Sequence, residues 1–180
     1  MLAFLLLGGM LAAPAVHAAE VEIRQVQLEA TEDGYRLSSS FNFELKRVLE
    51  DTLNRGVSLY FTTDVELNRP RWYWFDENSV RVSNTIRLSY NVLTRQYYAT
   101  VAGGLRQSFS SLDDALALVR RPARWLVADK DTLNAGATYQ VRVRMRLDVT
   151  QLPKPFQVNA INDSDWQLSS NWKTFTYKAE

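Results

Sequence analysis

The residues that could do chemistry are few, and the missing types exclude most of it. The chain holds one histidine, His17, and no cysteine. Ser-His-Asp and Cys-His arrangements need an imidazole base, and the usual zinc, copper and haem sites need His or Cys ligands. Once His17 leaves with the N-terminal segment described below, the mature chain can build none of these, and it can form no disulfide. Carboxylates remain. Paired acids can run glycoside hydrolysis without histidine, and Asp76, Glu77, Asp113 and Asp114 are available, with no spacing that says which of them converge. Asp113 and Asp114 also suit the first turn of a helix, where negative charge meets the helix dipole. Asp129 with Asp131, or Asp163 with Asp165, could offer oxygen ligands to calcium. Neither stretch completes a calcium loop, Lys130 sits inside the first pair, and Asx residues cap turns for ordinary reasons. No phosphate-binding glycine loop or nucleophile elbow is present. The expectation is a non-enzyme with no cofactor, no catalytic residue and no metal ligand.

Two stretches suit binding. In Arg69-Pro70-Arg71-Trp72-Tyr73-Trp74-Phe75, an extended backbone points Trp72 and Trp74 one way and Tyr73 and Phe75 the other. A half-buried strand needs one aromatic face only. An exposed second face beside Arg69 and Arg71 would suit stacking on a sugar ring or a partner surface; a covered one would make these residues core. Arg142, Arg144 and Arg146 share one face of one strand by their period-two spacing. They could meet lipid phosphates or an acidic partner, or form a solvated sheet face paired with cross-strand acids such as Asp64 and Glu66. Arg69, Arg71, Trp72, Tyr73, Trp74, Arg142, Arg144 and Arg146 are therefore the candidate binding residues.

The chain that positions them divides into two parts. Leu2 to Val16 is almost wholly apolar and uncharged, and His17-Ala18-Ala19 offers small residues for a signal peptidase. This predicts a secretory signal peptide over residues 1–19. A retained anchor is the alternative, but a spanning helix needs about 20 apolar residues, and Gly8, Gly9 and Pro14 interrupt a shorter run. No Lys or Arg precedes that run, which departs from the usual signal pattern. Residues 20–180 then form a single domain, large enough to bury roughly 70% of its unfolded surface. All charged residues lie in this part, so its net charge remains +1. That balance argues against a nucleic-acid partner, which usually faces a strong basic excess.

Within the domain, period-two alternation predicts strands. Tyr35, Leu37, Phe41 and Phe43 share a face. Val57, Leu59, Phe61, Val65 and Leu67 oppose Ser58, Thr62, Asp64 and Glu66; Val80, Val82, Ile86, Leu88, Tyr90 and Val92 oppose Arg81, Ser83, Thr85, Arg87, Ser89 and Asn91. Val141, Val143, Met145, Leu147 and Val149 oppose the arginine row. One-sided burial of this kind marks antiparallel sheets. A register shift between Ile23 and Val26 predicts a bulge, and Glu32-Asp33-Gly34 predicts a hairpin turn. Helical spacing appears at Leu45, Val48, Leu49 and Leu53 before Gly56, and at Leu112, Ala115, Leu116 and Val119 behind the N-cap Ser111 and ahead of Pro122. The tail alternates turn signals with short strands. The sum is a mainly β fold: an antiparallel β-sandwich of about eight strands with two short helical insertions.

A resemblance covers nearly the whole of this domain, about Val21 to Trp172. Leu59-Tyr60-Phe61, Asp64-Val65-Glu66-Leu67, Arg69-Pro70-Arg71-Trp72, Leu88-Ser89-Tyr90-Asn91, Leu93-Thr94-Arg95-Gln96-Tyr97, Ser111-Leu112-Asp113-Asp114-Ala115-Leu116 and Leu152-Pro153-Lys154-Pro155-Phe156-Gln157 follow one another in this order. Together they resemble the DUF4390 family of exported proteobacterial proteins, a domain of unknown function. The resemblance implies a Gram-negative periplasmic setting and genes that neighbour a membrane sensor kinase of the nitrogen-regulation type; it brings no activity and no catalytic residues. The expected role is a periplasmic protein that binds an envelope protein partner. It meets the membrane only through an uncleaved signal segment. The alternatives are a carboxylate-dependent enzyme acting on glycans and a module that binds glycan or lipid.

Overall fold

A computed structural model of the chain describes residues 21–69 and 77–180. The expected signal peptide lies outside the described residues, as do four of the candidate binding residues, Arg71, Trp72, Tyr73 and Trp74.

β1 (Glu22–Thr31) and β2 (Gly34–Asn42) form the expected hairpin, and the expected bulge falls between Ile23 and Gln25. The Thr31 hydroxyl holds the turn by bonding the Asp33 carboxylate at 2.6 Å and the Gly34 carbonyl at 2.7 Å. Gly34 has φ +140°, and a Cβ there would collide with the carbonyl oxygen of Ala128. Both conditions require glycine. Ala128 belongs to β7 (Trp125–Asp129), which pairs with β2 and completes a three-stranded sheet in the order β1-β2-β7.

The second sheet holds β3 (Leu59–Arg69), β4 (Glu77–Asn91), β5 (Gln96–Val101), β6 (Arg106–Phe109), β8 (Thr138–Leu147) and β9 (Lys173–Lys178) in the order β6-β5-β4-β3-β8-β9, antiparallel throughout. Its inner face is the core. Leu59, Leu67, Leu88, Ala99, Tyr139, Val141 and Val143 are fully buried there. The three-stranded sheet covers one half, through Leu28, Tyr35, Leu37 and Val127. Helices cover the other half. α1 (Arg47–Asn54) contributes Leu49 and Leu53, α2 (Leu112–Arg120) contributes Ala115, Leu116 and Val119, and α3 (Lys154–Asn162) contributes Ala160. Both expected helices form. Gly56 follows α1 at φ +89°, and the Ser111 hydroxyl caps α2 by accepting from the Asp114 N–H at 3.1 Å.

The layering is the expected sandwich of two antiparallel sheets, with nine strands and three α-helices among the described residues. The third helix corrects the reading of the tail as turns and short strands. Its prolines do not break it, because Pro153 is the N-cap and Pro155 lies in the first turn, where a missing N–H leaves no bond unmade. A seam joins the two sheets at one side: Val21 bridges Ser170, and the Lys173 ammonium donates to the carbonyls of Ile23 and Arg24 at 3.1 and 3.3 Å.

The outer face of the six-stranded sheet is different. Arg81, Ser83, Arg87, Arg106, Ser108, Gln140, Thr174 and Thr176 stand exposed on it, and among the described residues no helix or sheet lies over it.

Candidate functional site

Alternation in β8 turns Tyr139, Val141, Val143, Met145 and Leu147 into the core, which leaves Arg142, Arg144 and Arg146 on the outer face. The β3–β8 register sets Glu66 opposite Arg142, Asp64 opposite Arg144 and Thr62 opposite Arg146. Cross-strand neighbours at this range interact directly. Arg144 Nη2 and Arg146 Nε both donate to Asp64 Oδ2 at 3.0 Å, and the Ser83 hydroxyl donates to Asp64 Oδ1 at 2.8 Å. Arg142 Nη1 donates to Glu66 Oε2 at 3.0 Å, with Arg81 Nε 3.7 Å from the other oxygen. Arg146 also reaches Asp148 Oδ1 at 3.1 Å. The pairing with Asp64 and Glu66 is the one named for the row as the alternative to contact with lipid phosphates or an acidic partner.

Asp64 is the centre of this network, with a side chain only 15% exposed. Burial pushes its carboxyl up, but hydrogen bonds from Arg144, Ser83 and Arg146 outweigh burial and hold it below the ordinary carboxylate value. Asp148 behaves alike: burial raises it, and bonds from Thr150 and Gln151 with the Arg146 charge bring it lower. Both are ionised at neutral pH.

Trp172, just ahead of β9, lies against this row. Its ring centroid is 4.6 Å from the Arg142 guanidinium carbon and 4.5 Å from that of Arg144. Further along the face, Arg106 lies 3.5 Å over the Tyr98 ring, and Arg87 Nε donates to the Ser58 hydroxyl at 3.1 Å. A shallow cleft of about 290 Å³ opens between Arg81, Ser83, Arg144, Arg146 and Trp172, with Asp64 in its lining. Stacked guanidinium groups of this kind keep planar N–H edges free for carboxylate or phosphate oxygens.

The remaining candidates are placed as follows. Arg69 ends β3, in register with Glu77 of β4 and apart from the arginine row. Asp113 is bound by Arg120 at 2.7 Å and Asp114 by the Ser111 hydroxyl at 2.6 Å, as helix-start residues. Asp113, Asp114 and Arg120 line a second cleft of about 310 Å³ beside β1 and β2, together with Arg24 and Arg121. Asp163 accepts from the Asp165 N–H at 2.9 Å, which is turn capping, and Lys46 pairs with Asp165 at 3.5 Å. Among the described residues no cluster of acids could hold a metal ion, and no helix is long and apolar enough to cross a membrane. Trp172, Asp148 and Tyr98 join the site without having been singled out in the sequence. The alternation of Trp172 with Thr174 and Thr176 carried a signal for its face, but nothing in the sequence identifies β8 as the neighbour of β9.

A family model described as Domain of unknown function (DUF4390) matches residues 18–176. No curated protein matches the chain, and no solved structure does.

Proposed function

The chain belongs to the DUF4390 family, and we propose that it acts as a periplasmic interaction protein of the cell envelope, binding a partner protein on the open face of its six-stranded sheet and performing no chemistry. One observation carries this reading. The inner face of the sheet is packed, whereas the outer face holds Trp172, Tyr98 and a set of arginines, and no described helix or sheet lies over it. Trp, Tyr and Arg are the residues that dominate the binding energy of protein interfaces. Export is supported by the apolar run and small-residue site of residues 1–19. The extracytoplasmic part of a membrane sensor kinase is the first partner to test.

The glycan-cleaving alternative has less support. A general acid working at neutral pH needs a raised pKa, and the carboxylates of the outer face run the other way at Asp64 and Asp148.

Photo-crosslinking in intact cells tests the proposal. A crosslinking residue at Ser83 or Arg87, both exposed on the outer face, should give a discrete protein adduct. The same residue at Gln27 on β1 or Asp51 on α1, both exposed elsewhere, should not. Adducts from Gln27 or Asp51 and none from the outer face would overturn the reading.

A further inference from the structure

We infer that the ligand of this face is an acidic polypeptide segment lying extended along β8, with its carboxylates on Arg142, Arg144 and Arg146. The inference rests on the proposed use of the face for binding and names what it recognises.

Charge is the first ground. Arg81, Arg142, Arg144 and Arg146 share three carboxylates, those of Asp64, Glu66 and Asp148. Arg87 and Arg106 on the same face, and Lys178 on the edge strand, have no carboxylate partner among the described residues. The whole chain carries only +1, so positive charge is concentrated here.

Unused donors are the second. A guanidinium carries five N–H groups. Arg142 gives one to Glu66 and Arg144 one to Asp64, which leaves further N–H groups on each part-exposed guanidinium. The Trp172 ring lies against both guanidinium groups and limits their movement, which lowers the ordering cost of binding a carboxylate.

Spacing is the third. Alternate residues of a strand stand about 6.8 Å apart, so an extended peptide with acids at every second position matches the arginine row in register.

A membrane surface fits less well. The three arginines are held down in the face, with side chains 36%, 35% and 31% exposed. The exposed large apolar side chains Val92, Leu93, Leu105, Leu126 and Val158 lie in turns, on β7 and on α3, away from the arginines.

The test is fluorescence anisotropy with the purified full-length domain after signal removal, at low salt. The probes are a short labelled peptide of alternating glutamate and threonine and its lysine–threonine counterpart. Phosphatidylglycerol vesicles are tested in parallel. Expected are binding of the glutamate peptide alone, weakening with added salt, and a loss of roughly tenfold in Arg144→Gln and about threefold in Arg87→Gln. Should Arg144→Gln fail to fold, Arg87→Gln still decides, because Arg87 is exposed and its side chain bonds the Ser58 hydroxyl with no carboxylate partner among the described residues. Vesicle binding without peptide binding would overturn the inference in favour of phosphate recognition. If neither probe binds, the acidic-segment inference falls. Crosslinking from Ser83 and Arg87 then shows separately whether the face still takes a protein of other chemistry.

Discussion

Asp64 and Arg144 stand opposite each other across the β3–β8 ladder, and Arg144 donates to Asp64 Oδ2 at 3.0 Å. The same oxygen takes Arg146, and the other takes Ser83 of β4. One carboxylate thus ties three strands together on the face turned away from the hydrophobic core. The acids that hold the arginines in place also contribute to stability, so the proposed binding face and the fold should respond together to pH and to mutation.

Acid should loosen this arrangement. The folded pKa of Asp64 lies below its unfolded value of about 3.9. Its contribution is therefore complete above that value and is lost as pH falls through the folded pKa. Asp148 has the same sign. Urea midpoints should stay level from about pH 7 to pH 5 and drop below about pH 4. Asp64→Asn leaves Arg144 and Arg146 without their shared acid. It should lower stability at neutral pH by about 2 kcal/mol, less than for a fully buried pair because the arginines are part-exposed. Its midpoint should also depend less on acid than that of the native chain. A variant with unchanged acid sensitivity would assign the effect to other carboxylates.

Gly34→Ala should be among the most damaging single changes. The position combines φ +140° with a Cβ site already filled by the Ala128 carbonyl of β7. Backbone strain and a clash with another backbone cannot be relieved by a side-chain rotation, so a loss above about 2 kcal/mol is expected. Gly103, with φ +72° and open space around it, should lose no more than about 1 kcal/mol to alanine. Denaturant midpoints of the two variants separate close approach from conformation alone.

The strands with one buried face were legible because alternation reports burial directly. Leu59 to Leu67 and Val141 to Leu147 face inward as the pattern implies. Where local chemistry overrides alternation, the pattern misleads. Val92 continues the apolar phase of β4, yet it is 58% exposed. The Asn91 side chain accepts from the N–H groups of Leu93 and Thr94 at 2.9 and 3.2 Å and ends the strand in a turn. The helix at Lys154–Asn162 is missed in a tail read as turns and short strands, because Pro153 and Pro155 exclude a central strand yet sit where helices begin. The candidate site was half legible. Asp64, Glu66 and the arginine row have period-two signatures, whereas Trp172 reaches them only through the β8–β9 pairing, which is long-range. The aromatic stretch from Trp72 to Phe75 lies outside the described residues, so of the two stretches read from the sequence only the arginine row enters the site.

Burial and exposure of leucines give a matched test of the two-sided architecture. Leu88 is fully buried among the residues under the helices, and Leu93 is 93% exposed in the adjoining turn. Leu88→Ala should cost about 2–5 kcal/mol, and Leu93→Ser should stay within about 0.5 kcal/mol. Comparable losses in chemical denaturation would show that the turn is covered in solution.

Trp172 should couple energetically to the arginines beside it. Its ring lies 4.6 Å and 4.5 Å from the Arg142 and Arg144 guanidinium carbons, and a part-exposed cation–π contact contributes about 0.5–1 kcal/mol. Trp172→Ala should therefore destabilise by roughly 1–2 kcal/mol, including lost apolar packing against the arginine stems, and Trp172→Phe should recover part of it. In a double-mutant cycle, Trp172→Ala with Arg144→Gln should show a coupling of about 0.5–1 kcal/mol. A cycle that closes with no coupling would mean that Asp64 and Glu66 alone hold the row, leaving the ring available as a binding element in its own right. Crosslinking yield from Ser83 separates these cases: it falls in Trp172→Ala under both, but Trp172→Phe restores it only if the ring acts by ordering the arginines.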